Sequence, residues 1–236
     1  MSAFVVSLRE PGHGHPVAVD TIDDVTVATL ADAWGDWGGR AAEAPALSGA
    51  HTSLLAAARA GETDWPAALV RAFAVAAERV GHLPAPQVDD ELWDPITSLV
   101  CAVVTPAGIS VGWVGGVAAC VLADGEPVRE TAPHTLIRQL REQGHDLAAF
   151  AGSALAQLDH IVVRVVQPAH RGASAPELVA WPPLDRGHKL VLAPARTLAA
   201  LRAALPAEVT GGEPWLRAVV AACPEPGHRI GALIEP

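Results

Sequence analysis

From Ser98 to Ala123 the chain carries no charged residue, and an apolar stretch of that length is long enough to cross a bilayer as one helix. Two interruptions forbid that reading. Thr105-Pro106-Ala107-Gly108 joins a helix breaker to a turn former, and Gly115-Gly116 breaks the run again. The pieces between are strand-sized and rich in Val and Ile, the pattern of buried hairpin strands. Asp124-Gly125 then gives the strongest hairpin signal in the sequence. The stretch therefore predicts a strand meander. A helix follows it, capped by Thr135, running to Gln143 and ended by Gly144.

The same reasoning orders the rest of the chain. Strands are predicted at 4–8, 17–19 and 25–30, with the acidic Thr21-Ile22-Asp23-Asp24 as a turn. Two helices follow, about 40–60 and 65–80; in the second, Ala68, Val70, Phe73, Ala74 and Ala77 recur at helical spacing. A Pro- and Asp-rich loop covers 83–95. After the meander come a helix at 146–158 and strands at 161–166, 178–181 and 189–193. Helices near 197–204 and 215–221 precede a last strand at 229–234. No linker is long enough to force a division, so one domain over 1–236 is expected. Blocks of strands separated by paired helices predict an α+β fold with sheets packed inside helical layers.

Composition removes several function classes. Half the residues are apolar and 18% are charged, which excludes a disordered chain. The net charge is −10 and no run of Lys or Arg occurs, which argues against nucleic acid or an anionic membrane as partner. Cys101, Cys120 and Cys223 have no paired spacing and read as reduced core thiols of a cytoplasmic protein. The first residues lack the basic start and apolar run of a signal peptide.

Motifs of nucleophilic catalysis are absent: there is no Gly-x-Ser-x-Gly elbow, and the cysteines sit in apolar segments. His13 and His15 stand on a Gly/Pro-rich loop, but neither HExxH nor paired Cys/His spacing accompanies them, so they read as loop histidines without a metal. Gly38-Gly39 and Gly115-Gly116 read as turns or close approaches.

Several segments, in order, resemble the metal-dependent type 2C Ser/Thr protein phosphatases. Trp34-Gly35-Asp36-Trp37-Gly38-Gly39-Arg40 stands where that family has Asp-Gly-Met-Gly-Gly-His, followed by two long helices. Val114-Gly115-Gly116-Val117 takes the place of the family's Val-Gly-Asp-Ser turn. The segment ETAPHTLIRQLREQG is close to its Leu-Thr-x-Asp-His-Ser region, and APELVAWPPLDRGHKLVLAPART resembles the strands leading into Ser-Asp-Gly. Gly227-His228-Arg229-Ile230 lies where Asp-Asn-Ile-Thr belongs. The resemblance runs from about residue 5 to 234 and implies a four-layer αββα sandwich of two antiparallel sheets flanked by helices.

In that family aspartates hold two Mn²⁺ or Mg²⁺ ions, because hard divalent ions need oxygen ligands and compensating charge. Position by position, the acids fall here on Gly35, Gly116, Ala195 and His228. Glycine and alanine side chains cannot ligate, and Arg196 puts a cation beside one of these positions. Two acids offer a partial rescue. Asp36 follows Gly35, and Asp32 follows Ala31 as the family's aspartate follows its alanine; the plainer reading of both is a loop acid or a helix cap. Arg9 stands near the family's phosphate-binding arginine, and His134 matches a family histidine, with a hydrogen-bonded role at a strand–helix junction as its plainer reading. Trp34 and Trp37 either plug the pocket, anchor a partner or pack in the core.

The resemblance thus implies a retained fold with its metal centre and cofactor lost: a pseudophosphatase that works by binding a protein, such as a kinase or a phosphoprotein. Two alternatives stay open. One is a divergent active Mn- or Mg-dependent phosphatase using Asp32 and Asp36. The other is a sensor that takes a small ligand in the emptied cleft.

Overall fold

The computed structural model describes residues 1–8, 16–33, 39–84, 95–147, 161–171, 175–203, 212–224 and 228–236. The chain opens with β1 (Ser2–Ser7), β2 (Val17–Ile22) and β3 (Val25–Asp32), then α1 (Gly39–Arg59) and α2 (Trp65–Gly81). Next come β4 (Ser98–Thr105), β5 (Gly108–Val114), β6 (Val117–Ala123), β7 (Glu126–Glu130) and α3 (Leu136–Glu142). The last part holds β8 (Glu177–Trp181), β9 (Lys189–Pro194), α4 (Ala195–Ala203), α5 (Gly212–Ala222) and β10 (Ile230–Glu235). The strands make two five-stranded sheets, ordered β1-β10-β9-β6-β7 and β2-β3-β4-β5-β8. Every pairing in both is antiparallel.

The uncharged run is explained by where its strands sit. In β4, Val100, Ala102 and Val104 face the core between the sheets, while Leu99, Cys101 and Val103 face α1 and α2. In β6, Val117, Ala119 and Val121 face the inter-sheet core, while Ala118, Cys120 and Leu122 meet α5 through Trp215, Leu216 and Val219. A strand covered on both faces has no solvent side on which a charge would be cheap. Three cores between four layers make the expected αββα sandwich.

Local chemistry sets the element ends. Asp64 caps α2 by accepting from the Ala67 N–H, with a proline in the first turn. Thr135 caps α3 by accepting from the Arg138 N–H, and Gly144 follows it at positive φ. Asp124 and Gly125 both take positive φ between β6 and β7, as the hairpin signal requires. Among the described residues no helix is long and apolar enough to cross a membrane.

One expected strand does not form. Residues 161–166 make only isolated bridges, Thr97 with Val166 and Thr135 with Val162. Their backbone groups serve a loop and a helix start: Leu136 N–H donates to Ile161 O at 2.8 Å, and Val163 N–H to His134 O at 3.0 Å. With no continuous strand beside it, the alternating pattern becomes a half-buried strap, on which Ile161 and Val163 stay exposed. The helix expected at 146–158 lies almost wholly outside the described residues.

Candidate functional site at the Asp32–His228 pair

Asp32 is the last residue of β3 and is 1% exposed. Its neighbour across the ladder is Ser98, the first residue of β4. A second acid fixes the chain just beyond: Glu43 on α1 is buried, and its Oε1 accepts from the Ala33 N–H at 2.8 Å. The strand end that carries Asp32 is therefore held from the helical layer as well as from the sheet.

His228 lies two residues before β10, in the opposite sheet, and its Nδ1 is 2.8 Å from Asp32 Oδ2. A carboxylate only accepts, so Nδ1 carries the proton and donates. The carbonyl of His228 is held in turn by Thr197 of α4, whose buried Oγ1 donates to it at 2.6 Å. The pair thus ties the two sheets together at one end of the sandwich.

Ala195 and Gly116 meet at this end too. The Ala195 N–H donates to Gly116 O at 2.9 Å, and the Gly116 N–H donates to Ser98 Oγ at 2.9 Å. The approach is close: a Cβ on Gly115, which has φ +100°, would lie 2.2 Å from Ser98 Oγ. One chain of contacts consequently links Ala195, Gly116, Ser98, Asp32 and His228. Gly35, Asp36, Arg9, Trp34 and Trp37 lie outside the described residues.

Among the described residues this donor set does not fit a binuclear centre. Gly116 and Ala195 offer no side-chain ligand, and Asp32 already accepts the imidazole N–H of His228. Among the described residues no group of three or more His, Cys, Asp or Glu is placed to hold a metal ion. Thiol chemistry has no better footing. The cysteines are buried, and burial pushes the Cys101 thiol up to about 12 although Thr29 hydrogen-bonds it.

His134 belongs to a neighbouring polar network that meets this chain of contacts at Gly115. Its Nδ1 accepts from the Gly115 N–H at 3.0 Å, so the proton of the neutral ring sits on Nε2, which lies 3.1 Å from Glu177 Oε1 and 2.9 Å from Arg164 Nη1. Glu177 also accepts from Arg138 Nη2, 3.0 Å to each oxygen, and from Arg164 Nη1 at 3.2 Å. Burial, and then the charge of Arg164, hold the His134 pKa below its ordinary value. Burial alone would raise Glu177, but the Arg138 hydrogen bonds and the neighbouring charges outweigh it and lower its carboxyl. Trp113 stacks on the His134 ring with centroids 6.1 Å apart. His134 is thus a hydrogen-bonded junction residue that joins the β5–β6 turn to β8 and the strap.

Sequence reasoning proposed Asp32 and His228 separately and did not pair them, since the contact bridges 196 positions. It gave no role to Glu43, Ser98 or Glu177. An acid set between Ala42 and Ala44 near the start of the predicted helix was the available signal for Glu43.

No family sequence model matches the chain, and neither does any curated protein sequence. Solved structures do match. The PPM Ser-Thr phosphatase MsPP of Mycobacterium smegmatis, crystallised with cacodylate, superposes with a TM-score of 0.65 at 17% identity, covering 100% of this chain and 98% of that one. The S. agalactiae serine/threonine phosphatase gives 0.67 at 14% identity, with 100% of both chains covered. The catalytic domain of the serine/threonine phosphatase PstP, in complex with two manganese ions, gives 0.65 at 15% identity over 98% of this chain and 96% of that one. The chain therefore has the fold of the PPM-type Ser/Thr phosphatases over its whole length.

Proposed function

We propose that this chain is a metal-free member of the phosphatase fold, a pseudophosphatase that works as a protein-binding or regulatory module. The Asp32–His228 hydrogen bond carries the reading. It occupies Asp32 with a donor from the protein itself, at the end of the sandwich where Gly116 and Ala195 supply no acid. An imidazole N–H directed at the carboxylate gives this buried acid a hydrogen-bond donor from the chain itself, where the acids of a metal cluster are satisfied by a divalent cation. The buried carboxylate is then hydrogen-bonded within the protein.

A protein is the partner class we favour, with a kinase or a phosphoprotein as the candidates to test. The net charge of −10 disfavours nucleic acid, and the strap beside the site exposes Ile161 and Val163.

Hydrolysis of p-nitrophenyl phosphate and of a phosphopeptide, with Mn²⁺ or Mg²⁺, tests the reading. No turnover above buffer is expected. Metal-dependent turnover that disappears in Asp32→Ala would overturn it and establish the chain as a divergent phosphatase.

A further inference from the structure

We propose that the cavity beside Asp32 binds a small, uncharged, apolar molecule of about two fused rings and discriminates against phosphate esters. The site deepens the metal-free reading, since a bound metal pair would reverse its charge preference. Its described lining is Asp32, Ile96, Thr97, Ser98, Ile161, Val162 and Val165, around a volume of about 290 Å³. A dry cavity of about 150 Å³ lined by aliphatic and aromatic side chains suffices for benzene, so this one admits a bicyclic molecule.

The lining chemistry selects the ligand class. Four of the seven side chains are branched aliphatics. The polar ones are engaged within the protein: Thr97 Oγ1 donates to Ser98 O at 3.1 Å, Ser98 Oγ accepts from Gly116, and Asp32 Oδ2 accepts from His228. Among the described lining residues there is one carboxyl group and no Lys or Arg. A phosphate dianion entering here meets like charge and aliphatic walls, the reverse of an anion site. A neutral ring system gains apolar contact on both sides without breaking those bonds.

The cavity is also preformed. One wall is the joined ends of β3 and β4. The other is the strap, held to β4 by reciprocal backbone bonds between Thr97 and Val166, 3.0 and 2.8 Å, and to α3 by the Leu136–Ile161 bond. A site with both walls fixed loses little ordering entropy when it binds.

Naphthol and naphthyl phosphate, one ring system with two charges, provide the test by fluorescence titration of the full chain. Saturable one-to-one binding of naphthol is expected, with naphthyl phosphate at least about tenfold weaker. Val162→Phe and Val165→Phe, which fill the cavity, should each weaken naphthol at least about tenfold, with an unchanged thermal melt showing that the variant is folded. Asp32→Asn should narrow the gap between the two probes. Equal or tighter binding of naphthyl phosphate, no naphthol binding, or binding unchanged in both folded filling variants would overturn the proposal. Phosphatase turnover, with naphthol still bound more tightly than naphthyl phosphate in the absence of added metal, would sink the metal-free reading and leave this site standing; lack of both would sink the site alone.

Discussion

His228 donates from Nδ1 to Asp32 Oδ2 across 2.8 Å, joining the segment just before β10 of one sheet to the end of β3 in the other. Both side chains are largely withdrawn from water, His228 at 11% and Asp32 at 1% exposure. Cutting one side of such a contact leaves a buried polar group without that partner, which costs more than the bond's net worth. His228→Ala should therefore destabilise the fold by about 1–3 kcal/mol, measured by urea unfolding. A variant as stable as the parent would show that the pair does not tie the sheets.

Restoring acids offers the complementary experiment. Ala195→Asp combined with His228→Asp would place two new carboxylates around Asp32 and remove the competing donor. The double variant should be destabilised without metal, because like charges then crowd one site. Added Mn²⁺ should raise its Tm, while the unaltered chain shows no such rise. Equal responses from both proteins would contradict the assignment of these positions.

The His134 network predicts a pH dependence. Its pKa is lower in the folded chain than in the unfolded one, so the unfolded state binds more protons as pH falls. Stability should be intact above the ordinary histidine pKa of about 6.5 and decline as pH drops through the lower folded value. Protonation also ends the acceptor role of Nδ1 toward the Gly115 N–H. His134→Gln should flatten the profile between about pH 7 and 5; an unchanged slope would place the titration elsewhere. The lowered Glu177 carboxyl contributes a separate loss, below about pH 4.5.

Gly115 is expected to tolerate no side chain. Its φ of +100° is strained for an L-residue, and the added Cβ would lie 2.6 Å from Ser98 Cβ and 2.8 Å from its Cα, so a rotamer change cannot relieve the clash. Gly115→Ala should cost about 2–5 kcal/mol, combining backbone strain with overpacking. Gly187→Ala, at φ +89° with nothing within 4 Å, should cost only about 1–2 kcal/mol. Similar losses in the two variants would argue against the Gly115–Ser98 approach.

Periodicity and punctuation disclose much of this fold because they report local requirements. The α2 stripe at Ala68, Phe73 and Ala77, the Asp124-Gly125 turn and the Thr135 cap each lie within a few residues of their partners, whereas Val70 and Ala74, expected on that stripe, face solvent. The strap at 161–166 misleads for the same reason: its alternation matches a strand, but no neighbouring strand is available to complete the ladder. At the site, the sequence shows which positions lack acids, as at Gly116 and Ala195. It does not show that Asp32 and His228 meet, since that depends on how two sheets close on each other.

Equilibrium dialysis of the unaltered protein against Mn²⁺ tests the central claim most directly. With Asp32 engaged by His228 and no acid at Gly116 or Ala195, no saturable uptake is predicted up to millimolar metal. Uptake of two ions per chain, lost in Asp32→Ala, would contradict the metal-free account and return the chain to the working phosphatases.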